Sequence, residues 1–243
     1  MTGAALQRRP AAAIAARPER WLWAVAGAGA LVLLVQYTAG PLAGSGHHAG
    51  HHAVGLSAHL LAGAAMVAVM APLVADNAHH AAMRSPRAAR TRVTVDLVAG
   101  WAAVWAAAAL LIALGAWLLA RTAGDLAAIA GVTAVAAAWQ YTPLKRRGLA
   151  RCHRLLAPPL ERQRARRACS RAGVWLGRDC VLSCWGLMAL VAVAGHSPLV
   201  VVPALGVAWH ERRRPHHDPA TTETALAVVA IGATAFLVAL LSS

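Results

Sequence analysis

The sequence predicts an all-α, polytopic transmembrane helical bundle of about seven spans, with its N-terminus in the cytoplasm. Three observations predict it. Hydrophobic residues make up 59% of the 243, charged residues only 13%, and mean hydropathy is +0.54. A soluble domain of this length needs a polar shell, which such a composition does not supply. The apolar residues fall in long continuous runs, and roughly 20 such residues cross ~30 Å of hydrocarbon. The basic residues lie between those runs and cluster on alternate sides of them. Lipid offers no partner for backbone amides, so spans are helices or closed barrels. Continuous rather than alternating runs exclude the barrel.

The elements follow in order. Residues 1–20 form a basic cytoplasmic N-terminus with Arg8, Arg9, Arg17 and Arg20. Residues 21–243 read as one transmembrane domain. Its apolar segments are 21–38, 54–75, 95–120, 125–141, 173–195, 197–210 and 222–241. The first is long for a cleaved signal peptide and reads as a signal anchor. The sixth would span only about 21 Å and contains Pro203, so it is expected to be short or tilted. With the N-terminus inside, the cytoplasmic segments are 1–20, 76–94, 142–172 and 211–221. They hold 21 of the 23 Lys and Arg residues. Positive charge is retained on the cytoplasmic side, which sets this orientation. The expected location is the plasma or inner membrane.

The formal net charge of +14 does not point to nucleic acid, because the basic residues sit between spans rather than on one soluble domain. The 142–172 loop is the most basic part, from Lys145 to Arg171. It reads as a topology-setting loop, with a short helix on anionic lipid as the alternative. Four cysteines are too few for a disulfide scaffold and are expected as thiols. No nucleotide loop, nucleophile elbow or zinc-protease helix is found, so no enzyme is expected.

Several residues could bind a soft metal. The first external loop carries His47, His48, His51 and His52, with His59 following. Imidazole is the commonest metal ligand. The loop reads either as an ion-capturing site or as a solvated low-complexity segment. His59, Met66 and Met70 share one helical face. Cys180, Cys184 and Met188 are each four apart and form a second stripe. Thioether and thiolate groups select Cu(I), although Met and Cys are also ordinary buried apolar residues. Arg178 and Asp179 lie within a span, where ionisable groups are costly and usually face the bundle. They read as a structural ion-pair element or as a gate.

Two stretches carry a resemblance. One is Trp139-Gln140-Tyr141-Thr142-Pro143-Leu144-Lys145. The other is Cys180-Val181-Leu182-Ser183-Cys184-Trp185-Gly186-Leu187-Met188, followed by Gly195-His196. Together they resemble the DUF2182 family of predicted metal-binding integral membrane proteins, sometimes labelled copper chaperones. The resemblance extends from about Met66 to Glu211. It implies a membrane bundle that handles copper, with Trp139, Gln140, Pro143, Lys145 and Trp185 as motif residues. Three positions depart from the family pattern. Val69 stands where a methionine pair is usual, Ser183 replaces the first cysteine of a pair, and Gly148 replaces a cysteine, though Cys152 remains.

The leading expectation is a membrane protein that binds and hands on Cu(I) through Met66, Met70, Cys180, Cys184 and Met188, with the histidines as collectors. Its partners would be the bilayer, a metal ion and a membrane or metallochaperone acceptor, with no nucleic acid. The alternatives are a non-catalytic assembly or scaffold subunit, suggested by abundant Ala and Gly, and a secondary transporter gated near Arg178 and Asp179.

Overall fold

A computed structural model describes residues 17–42, 56–152, 162–213 and 221–242. The described residues are helical, joined by short turns. In order they form α1 (Trp21–Leu42), α2 (Leu56–Val69), α3 (Ala75–Met83), α4 (Arg90–Ala123), α5 (Asp125–Gln140), α6 (Pro143–Cys152), α7 (Arg162–Val193), α8 (Pro198–Arg213) and α9 (Thr221–Ser242). Short 3-10 turns occupy Ala71–Val74 and Arg87–Ala89.

Among the described residues, five stretches are long and apolar enough to cross a membrane: Trp21–Thr38, Leu56–Met83, Arg87–Ala123, Arg164–Val193 and Thr221–Leu241. The fourth and sixth expected segments are shorter. They correspond to α5 and α8, each of 16 residues, and Pro203 lies inside α8. The outer surface is greasy. Leu31, Leu111, Leu118, Val202 and Leu237 are exposed, whereas Asn77, Gln140, Lys145, Asp179 and Glu211 are buried. Apolar outside with paired polar groups inside is the arrangement that lipid demands.

Two stretches expected as cytoplasmic loops are largely helical. In the first, Pro72 removes a backbone donor, and the chain tightens into the Ala71–Val74 turn. It then resumes as α3, so the segment expected to end at residue 75 continues to Met83. In the second, Pro143 opens α6, where its missing N–H costs nothing. The following helix begins at Arg162, well before the expected residue 173. Arg, Gln and Ala are good helix formers, and Arg166 Nε meets Asp96 Oδ2 on α4 at 3.1 Å.

The heart of the bundle is the α4–α7 pair, built on glycine. A methyl group at Gly173 would lie 2.0 Å from the Leu97 carbonyl oxygen, and one at Gly100 2.3 Å from that of Ser170. The two backbones therefore touch, as in small-residue crossings of membrane helices. At one end of the bundle the charged contacts gather. Glu19 meets His79 at 3.1 Å, and Lys145 meets Glu211 at 2.7 Å. Trp23, at the start of α1, packs edge-on against Trp209 near the end of α8.

Candidate metal centre

One cavity lies between α2, α4 and the C-terminal part of α7. It encloses about 340 Å³ of empty space, counting its open mouth. His59, Met66, Met70, Met188 and His196 line it, among apolar residues that include Gly63, Val67, Ile112 and Trp105. Met66, Met70 and Met188 are 4%, 0% and 5% exposed. The α2 face supplies three of these residues because offsets of four and seven return to the same side. Pro72 ends α2 at Val69, and Met70 follows in the turn with its N–H still bonded to the Met66 carbonyl at 3.1 Å. Thioethers are neutral and soft, so this lining suits Cu(I) and needs no deprotonation.

His196 is the ligand type that sequence reasoning missed. It sits in the turn between α7 and α8 with φ of 57°, following Gly195 at 65°. Its N–H donates to the Val191 carbonyl at 2.9 Å, and that of Gly195 to Ala192 at 3.2 Å. This is the Schellman closure of a helix end. A histidine in the left-handed region is uncommon, and such strain clusters at functional sites. Burial, with the neighbouring His59, lowers the His196 pKa from its ordinary value to about 4. The imidazole is therefore a neutral, metal-ready base near neutral pH. Only the Gly195-His196 turn signalled it, since a turn residue has no periodicity.

The cysteines lie elsewhere. Cys180 and Cys184 are buried but do not line the cavity. Trp105 stands between, lining the cavity and also facing Cys180. The expected site joining Met66 and Met70 to the cysteines therefore divides in two. Cys180 instead meets Cys152 at the end of α6, thiol to thiol. That hydrogen bond, with burial, raises the Cys152 pKa above the ordinary thiol range. Arg212 Nη1 reaches the Cys180 sulfur at 3.6 Å, and its other nitrogen donates to Asn77 Oδ1. Asn77 Nδ2 in turn donates to the Cys152 carbonyl at 3.4 Å. Cys184 lies 3.4 Å from the Ser183 hydroxyl, which donates to the Cys180 carbonyl at 2.8 Å. Among the described residues, no group of three or more His, Cys, Asp or Glu side chains is placed to hold a metal.

The two motif stretches dock on each other. Trp139 Nε1 donates to the Leu182 carbonyl at 2.9 Å, and its ring meets Trp185 edge-on at 5.3 Å. Gln140 is buried and donates to the Ala136 carbonyl at 3.1 Å. Lys145 and Glu211 form a pair whose side chains are 3% and 5% exposed. A bare charge at that depth is very costly, so each requires the other. Arg178 was expected to face the bundle; instead it is exposed, with its guanidinium 5.2 Å from the centre of the Trp175 ring. Neighbouring residues on a helix point about 100° apart, and it is Asp179 that turns inward. His47, His48, His51 and His52 lie outside the described residues.

The sequence profile of the PpoB2 family, described as copper chaperone, matches residues 60–235. That range takes in both motif stretches, the cavity methionines and all four cysteines. No curated protein and no solved structure matches the chain.

Proposed function

Since the chain belongs to the PpoB2 copper chaperone family, we propose that it is an integral membrane carrier, not an enzyme, that takes Cu(I) into the His59–Met66–Met70–Met188–His196 cavity and hands it on. The observation that carries this reading is the convergence of three buried methionines and two histidines on one cavity. His59 and His196 would receive the ion, and the thioethers would hold it deeper. Every one of these ligands is neutral. The ion's single positive charge would stay uncompensated at low dielectric, which favours release over storage. Some of the small residues that suggested a scaffold pack inside the chain, Gly100, Gly173 and Gly177 at the α4–α7 crossing.

Competition of the purified protein with a chromophoric Cu(I) chelator tests this. Protein prepared without a His tag should bind Cu(I) at the cavity. A Met66→Leu/Met70→Leu/Met188→Leu variant keeps the apolar volume and should lose one equivalent. Unchanged stoichiometry in that variant would refute the cavity as the site.

A further inference from the structure

The cavity leaves one buried constellation unused. Cys152 and Cys180 are each 2% exposed and neighbour one another, linked through Arg212 and Asn77. Around them, α3 supplies Asn77, α4 supplies Trp101 and Trp105, and α8 supplies Arg212. Both indole Nε1 atoms are buried without a conventional hydrogen-bond partner, and both face the Cys180 sulfur. Each tryptophan is only 1% exposed. Indole N–H only donates, and a buried donor without an acceptor is costly. The surroundings are those of an anion.

We propose that Cys152 and Cys180 form a second Cu(I) site, a two-coordinate bis-thiolate separate from the His/Met cavity, with Arg212 as its counter-ion. On binding, two S–H protons leave and two Cu–S bonds form, with no change of oxidation state. The product, Cu(SR)₂, carries one net negative charge. Arg212, 3.6 Å from the Cys180 sulfur, balances it, and the two indole N–H groups solvate it. Asn77 ties the guanidinium to the backbone of Cys152, so one residue links the cation to the second cysteine. Zinc would need about four ligands, and no third His, Cys, Asp or Glu converges here among the described residues. Two soft thiolates alone satisfy Cu(I). Cys184, which the sequence pairs with Cys180, lies against Ser183 instead and is not a ligand of this site.

The test uses the full reduced chain in detergent, titrated with Cu(I) against a chromophoric chelator. Cys152→Ser and Cys180→Ser should each lose one Cu(I) equivalent, whereas Cys184→Ser and Cys169→Ser should lose none. Arg212→Gln should keep the stoichiometry with affinity lowered about 10- to 100-fold, as for outer-shell partners generally. Copper-edge X-ray absorption of the methionine-to-leucine triple variant, which leaves every thiol in place, should show two sulfur neighbours only. The site is overturned if Cys152→Ser keeps the full complement. It is also overturned if the triple variant binds no Cu(I), or if thiol titration after denaturation finds Cys152 and Cys180 joined as a disulfide. Failure of the cavity reading looks different: the wild type then binds a single Cu(I), which Cys152→Ser removes.

Discussion

His196 shows how one residue can be held for chemistry at the expense of its backbone. Its left-handed φ suits glycine or asparagine better, and its burial penalises the charged imidazole. The second effect gives stability a pH dependence with a definite sign. The folded-state pKa is about 4, against an ordinary 6.5. The neutral form is favoured in the fold, so its contribution is complete above pH 6.5 and is lost as pH falls toward 4. Between pH 7.5 and 5 this amounts to about 2 kcal/mol. His196→Asn keeps the turn, because asparagine tolerates the left-handed region, and it removes the titration. Thermal melts in detergent should show the wild type losing more stability than the variant on acidification. The same variant should bind Cu(I) more weakly at pH 7. Parallel pH profiles would show that His196 is not buried as a neutral base.

At the scale of the element, the α4–α7 crossing positions both candidate sites. α7 carries Cys180 and Met188 eight residues apart, about 12 Å along the helix. α4 presses Trp101 and Trp105 onto α7 only because its backbone can approach at Gly100 and Gly173. Gly173→Ala should therefore force the helices apart and cost about 1–3 kcal/mol or more. Gly115→Ala, on the same pair of helices but with nothing within 4 Å of the added methyl, should be neutral or stabilise by up to about 1 kcal/mol. Denaturant or thermal unfolding of the two variants checks this, and equal effects would mean that the crossing is not tight. This element also shows what could be read from sequence. The His59–Met66–Met70 face follows from periodicity within one helix, and so does the Cys180–Cys184–Met188 stripe. Their separation by Trp105 depends on how α4 docks, which no local pattern encodes. The approach of Cys152 to Cys180 likewise depends on α6 folding back against α7 at Gly148, after Trp139 at the end of α5 has docked on Leu182. The early start of α7 was hidden because a dense arginine run resembles a loop until Asp96 is placed opposite it.

For the whole molecule, charge and geometry agree on two ends. Glu19–His79, Asp96–Arg166, Lys145–Glu211 and Asn77–Arg212 all lie toward one end of the bundle. His59 and His196, which both line the cavity, lie toward the other. The two short helices connect these ends. α8 leaves the turn at His196 and arrives at Arg212 beside Cys180, so it runs antiparallel to the second half of α7. α5 leaves the turn at Gly124 and delivers the chain to Lys145 at the charged end. Sixteen residues give each a rise of about 24 Å, short for a bilayer, and each exposes apolar residues outward, among them Val135 and Val202. If α5 and α8 also cross, the chain makes seven passes, with Arg20 and Arg164 on one side and Thr122 on the other. Retention of positive charge would then put the arginine side in the cytoplasm. Single cysteines introduced as Arg20→Cys, Arg164→Cys and Thr122→Cys test this in intact cells with a membrane-impermeant thiol reagent. The four native cysteines are buried and should stay silent. Thr122→Cys should label at once, and the two arginine replacements only after permeabilisation. Labelling of Arg164→Cys from outside would reverse the bundle, placing the thiol pair rather than the His/Met cavity toward the exterior.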